Sequence, residues 1–295
     1  MQAEDIKPLI NNAPFTVTPA GPTIGAEISG INLAEPLGQA AFDALYATLM
    51  EYKVIYFHNQ KMTADQQVAF GKRFGELEVH PFRPDLPNIP EMIVLDNHKD
   101  NPVLSTDIWH ADTTFREEPT RFSILRCMIK PEFGGDTLWA DMVSAYECLS
   151  TPVKEMITGL EALHDFKNFS LLYADDEEGQ QKLLKMRKLY PRPTHPVVRT
   201  HPDTRERVLY VNPQFTIRML GMSVKESDAI LNLLYEQSKT PEYQFRLHWE
   251  PDTLCMWDNA GVQHYASNDY WPHRRRMERV AVIGEKPYFD PDAKP

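Results

Sequence analysis

Short β-rich runs recur along nearly the whole chain, each closed by turn residues, and only a few helical stretches interrupt them. The 24 prolines and 13 glycines are scattered as punctuation, with no repeat, low-complexity tract or linker between two halves. These observations predict a mainly β chain with flanking helices, an α+β protein built on a β-sandwich or jelly-roll core. Its 295 residues would form a single domain, 1–295.

The elements follow from local pattern. Strands are expected at Thr23 to Ile28, Val54 to Phe57, Met92 to Leu95, Phe122 to Met128 and Thr137 to Ala140. More are expected at Pro196 to Thr200, Val208 to Val211, Gln244 to Trp249, Leu254 to Trp257 and Met277 to Ile283. Gln39 to Tyr52 carries Phe42, Leu45 and Leu49 at helical spacing. Thr63 with Gln66, and Ser223 with Glu226, form capping boxes that open two further helices. Pro152 sits where a first-turn proline belongs. The polar stretch Leu171 to Tyr190 reads as a solvated helix, with a cover over an active site as the alternative.

Composition narrows the function. At 42% hydrophobic and 25% charged, the chain can bury a sizeable core. Its net charge of −11 repels phosphate backbones and anionic membranes, so neither nucleic acid nor a membrane surface is an expected partner. An anionic substrate would need a local basic pocket. Three cysteines, Cys127, Cys148 and Cys255, at wide spacing argue against a disulfide framework and fit a reducing cytoplasm. No apolar run approaches the roughly 18 residues that would span a membrane.

Metal ligands are sought as His-x-Asp/Glu, because alternate strand positions share a face. Chance predicts about 1.4 such pairs from this composition, and four occur: His98/Asp100, His110/Asp112, His201/Asp203 and His248/Glu250. The pattern alone therefore decides nothing. His98 lies in a polar loop, His201 in a proline turn, and His248 beside Trp249 at a strand end, all places where a structural role suffices. In WHADTTF, His110 and Asp112 stand between a hydrophilic loop and an aromatic-flanked strand, at a rim. A non-haem iron site needs two histidines and a carboxylate on one face, and His264, after LCMWDNAGVQ, supplies the third ligand. Further on, alternation puts Arg275, Met277, Arg279 and Ala281 on one strand face and Arg274, Arg276, Glu278 and Val280 on the other. Two inward arginines in an acidic protein call for anionic partners.

HPFRPDLP from His80, WHADTTF, GGDTLWADM from Gly134, HPVVRTHP from His195 and WDNAGVQHYASNDY with RRRMERVAVIGEKP together resemble the taurine dioxygenase (TauD/TfdA) family of iron(II)- and 2-oxoglutarate-dependent dioxygenases. The likeness runs in order from about Thr16 to Pro287. It implies a double-stranded β-helix, a jelly-roll variant, with His110, Asp112 and His264 holding Fe(II). It also implies that Thr137 and Arg275 hold the distal carboxylate of 2-oxoglutarate, with O2 as the second co-substrate. His80, Arg279 and Phe215 match substrate-contacting positions of the family, and Arg83 stands where a tyrosine is usual. Leu104 to Ile108, Asn168 to Ser170 and Ala260 also depart from the family pattern. These changes cluster where the amine end of taurine would lie and weaken the case for taurine itself.

The implied activity is hydroxylation of a small organic anion, an alkylsulfonate or alkyl sulfate, with C–S or C–O cleavage as its consequence. An aryloxyalkanoate, another carboxylate or an amino-acid-derived substrate is the alternative. A zinc hydrolase using the same three ligands and a non-catalytic jelly-roll binding module are the rivals from other classes. Members of the family are often homo-oligomers, but no heptad or exposed apolar stripe in the chain marks an assembling surface.

Overall fold

The longest strand among the described residues is also among the most buried: the first eight residues of Thr120–Ile129 (β5) are all buried, as a central strand covered on both faces must be. The computed structural model describes residues 3–79, 88–101, 107–166 and 177–293. Before β5 come α1 (Ala3–Asn11), β1 (Thr16–Pro19), β2 (Ala26–Ser29), α2 (Gln39–Tyr52), β3 (Val54–Phe57), α3 (Ala64–Gly71) and β4 (Ile93–Asn97). After it come β6 (Thr137–Asp141), α4 (Met142–Glu147), α5 (Thr151–Ile157), β7 (Glu161–His164), α6 (Glu177–Leu189), β8 (Thr194–Pro196), β9 (Val198–Thr200), β10 (Arg207–Leu209) and β11 (Thr216–Met219). The chain closes with α7 (Val224–Tyr235), β12 (Gln244–Leu247), β13 (Leu254–Asp258), β14 (Val262–Ala266) and β15 (Arg275–Ile283).

A major sheet, ordered β1-β2-β3-β13-β5-β15-β4, faces a minor sheet ordered β12-β6-β14. Between them lies a core in which Val54, Leu125, Cys255, Trp257 and Met277 of the major sheet meet Trp139, Phe245, Leu247 and Val262 of the minor one. The outer face of the major sheet, with Ile55, Ile124, Val280 and Val282, packs on α1, α2 and α3 through Ile6, Leu45, Leu49, Val68 and Phe70. The predicted alternation of β15 is therefore real: Met277 enters the inter-sheet core, while Val280 and Val282 meet the helices. Arg274 and Arg276, on the outer side, pair with Asp96 of β4.

Both predicted capping boxes are present. Thr63 Oγ1 accepts from the Gln66 backbone at 3.2 Å and Ser223 Oγ from that of Glu226 at 3.4 Å, each answered by the third residue's side chain. The helix at Gln39 to Tyr52 and the strand at Val54 to Phe57 have the predicted bounds. Four strands were not predicted: β1, β7, β11 and β14. Each is four or five residues long with polar residues interrupting its apolar pattern, and is fixed by its sheet neighbours. All three cysteines are free thiols, and among the described residues no helix is long and apolar enough to cross a membrane.

Candidate metal centre

Two strand ends bring the metal candidates together. His110 and His264 face each other across an antiparallel bridge, each backbone N–H donating to the other's carbonyl at 3.0 and 2.7 Å, and their rings lie 4.1 Å apart. Two residues on, Asp112 turns back so that its Oδ1 stands 3.9 Å from Nε2 of both imidazoles. One ligand atom from each of the three lies within 4.8 Å of the others, and no other such cluster of His, Cys, Asp and Glu occurs among the described residues. The remaining His-x-acid pairs are used elsewhere. His201 is bonded to Asp258 at 2.7 Å, the exposed His248 to Asp136 at 2.8 Å, and His98 sits on a surface turn.

Two of the three candidate ligands, His110 and Asp112, are oriented by hydrogen bonds. His110 Nδ1–H donates to the Ile108 carbonyl at 2.7 Å, which leaves the lone pair on Nε2 aimed inward. Ser123 Oγ donates to Asp112 Oδ2 at 2.7 Å, and Arg279 Nη1 donates to Oδ1 at 2.9 Å. The Asp112 backbone is clamped by Asn259, whose Oδ1 accepts from its N–H at 2.6 Å while Nδ2 donates to its carbonyl and to that of Thr120. Thr113, next in the chain, is held at φ +55°, a left-handed conformation unusual for a β-branched residue. Its hydroxyl accepts from the Thr120 backbone at 2.8 Å, which offsets the strain locally.

Electrostatics complete the donor set. Burial pushes His264 down to about 3 and lowers His110, so both imidazoles are neutral near pH 7. Burial, the largest influence, would raise Asp112, but the Arg279 guanidinium, the two imidazoles and the Ser123 hydrogen bond together outweigh it and hold the carboxyl well below the usual carboxylate range. Neutral imidazole and ionised carboxylate are the states that ligate a cation, so the residues fit a divalent metal.

The neighbouring arginine on the same strand face is placed differently. Arg275 is buried, donates from Nε to the Gly135 carbonyl at 2.9 Å and from Nη2 to Thr137 Oγ1 at 3.5 Å, and forms no ion pair among the described residues. Phe215 meets His110 edge-on at 6.1 Å and joins Phe115, Phe166 and Met186 in a small apolar cluster. Leu183 and Tyr190 pack against that cluster, so α6 and the residue after it border the aromatic wall beside the metal ligands. The first two sequence-identified substrate positions, His80 and Arg83, lie outside the described residues. Ser123, Asn259 and Trp249 escaped the sequence reading. A lone serine in the apolar strand around Phe122 and an asparagine next to Asp258 were the available signals, and neither is specific.

A jelly-roll sandwich whose minor-sheet strand β14 carries His264 into a His/Asp/His cluster defines a candidate facial-ligand metal centre. The chain belongs to the taurine catabolism dioxygenase TauD, TfdA family, whose profile matches residues 16–281. It is 35% identical to an alpha-ketoglutarate-dependent sulfate ester dioxygenase of Pseudomonas putida over 92% of this chain and 90% of that protein. An alkylsulfatase of Acinetobacter baylyi is 34% identical over 89% and 83% respectively. Among solved structures, a taurine dioxygenase from Burkholderia xenovorans superposes with a TM-score of 0.80 at 32% identity, covering 95% of this chain and 94% of its own.

Proposed function

We propose that the protein is a cytoplasmic Fe(II)- and 2-oxoglutarate-dependent dioxygenase that hydroxylates a small organic anion, an alkyl sulfate or alkylsulfonate, at the carbon bearing the sulfur-containing group. The observation that carries the reading is the inward cluster of two neutral imidazoles and one ionised carboxylate, together with a buried arginine, Arg275, that forms no ion pair among the described residues. Iron with 2-oxoglutarate and O2 supplies an oxidant for an unactivated C–H bond, with succinate and carbon dioxide as co-products.

In this reading His110, Asp112 and His264 hold the iron. Arg275, with Thr137, binds the distal carboxylate of 2-oxoglutarate through charge-assisted hydrogen bonds. Ser123 keeps one Asp112 oxygen engaged, so that the carboxylate offers the other inward. Phe215 provides an apolar wall that excludes water, and Arg279 provides positive charge next to the metal for the anionic group of the substrate. His80 and Arg83 complete that anion pocket as sequence-based assignments. A hydroxyl placed on the carbon of a sulfate ester makes a hemiacetal-like sulfate, which collapses to an aldehyde and inorganic sulfate. The same step beside a sulfonate releases sulfite. The similarity to a sulfate ester dioxygenase and an alkylsulfatase over most of the chain favours the sulfate ester.

The test is substrate-dependent succinate formation across alkyl sulfates, alkylsulfonates, aryloxyalkanoates and amino acids. The expected result is succinate in step with alkyl sulfate or sulfonate and none from His110→Ala. Succinate driven only by an aryloxyalkanoate or amino acid would replace the substrate assignment, and no succinate from any of them would overturn the activity.

A further inference from the structure

Thr137 lies on β6, between β12 and β14, and its side chain is buried where β15 brings in Arg275. A threonine hydroxyl has two acceptor lone pairs and one hydrogen to give. Trp249, just beyond β12, is buried in the inter-sheet core beside Trp139 and donates its indole N–H to Thr137 Oγ1 at 3.0 Å. Arg275 Nη2 approaches the same oxygen at 3.5 Å. Both lone pairs are thus engaged, and among the described residues Thr137 Oγ1 donates to nothing. A tryptophan N–H only donates and an arginine only donates, so neither can take the threonine's hydrogen.

We infer that Trp249 is a positioning residue for the 2-oxo acid: by occupying an acceptor site of Thr137, it leaves the hydroxyl as an obligate donor directed at the distal carboxylate that Arg275 also binds. This rests on the proposed function. It explains why a tryptophan stands where any large apolar side chain would fill the core. Trp139 and Trp257, in the same core, have indole nitrogens with no hydrogen-bond partner among the described residues, so burial there does not by itself require an N–H contact. Trp249 contributes a polarity to the pocket, and its effect is confined to ligands that carry the distal carboxylate.

The experiment is calorimetric titration of the anaerobic Fe(II) protein with 2-oxoglutarate and with 2-oxobutyrate, which keeps the chelating end and lacks the distal carboxylate. Trp249→Phe should weaken 2-oxoglutarate about 5- to 15-fold, the effect of one hydrogen bond to the pocket, and leave 2-oxobutyrate within about twofold. In a Thr137→Val background the same substitution should add less than about twofold. Incorporating benzothienylalanine at 249 repeats the test with the ring shape kept and the N–H removed, should Trp249→Phe fold poorly. Equal weakening of both acids, or an undiminished loss in the Thr137→Val background, would mark a packing effect and overturn the inference. Failure of the unmodified protein to bind 2-oxoglutarate at all would overturn the inference together with the proposed function, a result the variants alone cannot produce.

Discussion

Arg275 and Arg279 sit four residues apart on the same inward face of one strand, about 13 Å from Cα to Cα, yet their electrostatic situations are opposite. Arg279 is bonded to Asp112 at 2.9 Å, and although burial lowers its pKa, Asp112 and then Glu78 outweigh that and raise it. Among the described residues Arg275 has a backbone carbonyl, a hydroxyl and the Tyr270 ring but no carboxylate, and burial drives its pKa below the ordinary value. A buried cation without a carboxylate is costly, whereas a paired one is not. The difference teaches that one arginine already balances a charge fixed in the protein, while the other has none to balance, which is why the proposed function gives it the distal carboxylate of 2-oxoglutarate.

The largest effect should come from the carboxylate both halves depend on. Asp112→Ala removes a ligand and strands Arg279, and succinate formation should fall by roughly a thousandfold or more, with metal content falling alongside. If metal content were retained, the ligand assignment would be lost.

Next, the two arginines should separate kinetically. Arg275→Ala should raise the KM for 2-oxoglutarate about 10- to 100-fold, as expected for lost charge-assisted hydrogen bonds, with metal affinity unchanged. Arg279→Ala should instead weaken the apparent affinity for anionic substrates and alter metal affinity, because it frees Asp112. Identical behaviour of the two variants would abolish the distinction, and unchanged affinity for every anion in Arg279→Ala would remove it from the substrate pocket.

Asn259→Ala should lower metal affinity about 10- to 100-fold by loosening the Asp112 backbone, with all three ligands still present. Metal titration followed by calorimetry would read this directly, and wild-type affinity would show that the loop needs no such clamp.

The smallest effect concerns the apo protein's stability. His195 and His164 are fully buried with ring centroids 4.9 Å apart. Burial pushes His195 down to about 4 and His164 well below its ordinary value. The unfolded chain therefore binds more protons than the folded one between about pH 6.5 and 4, and stability should fall as pH falls through that window. For His195 the loss is on the order of 2 kcal/mol at pH 5, read as a drop in Tm, and His195→Gln should show a shallower dependence.

Periodicity was most informative where an element is long or capped. The alternation of β15 by itself puts Arg275 and Arg279 on one face, and the boxes at Thr63 and Ser223 mark helix starts. It failed for β14, the short strand that carries His264, because Gln263 and His264 break its apolar run and pairing with β6 supplies what the local sequence lacks. The excess of His-x-acid pairs shows the same limit. By pattern the four pairs are equivalent and local context only favours His110/Asp112, whereas the meeting of residues 110 and 264 across a bridge brings that pair alone together with a third candidate ligand among the described residues.

The sequence by itself determined the sheet-rich class, the order of its motifs and the set of side chains able to do the chemistry, because residue type and spacing are local properties. The tertiary structure decided which of two arginines is already paired, which asparagine clamps the Asp112 loop, and which indole dictates the direction of a hydroxyl. Those are properties of groups 100 or more residues apart, such as Trp249 and Thr137 or Asn259 and Asp112, and only the packing of the two sheets sets whether a donor meets an acceptor or is left to find one in a ligand.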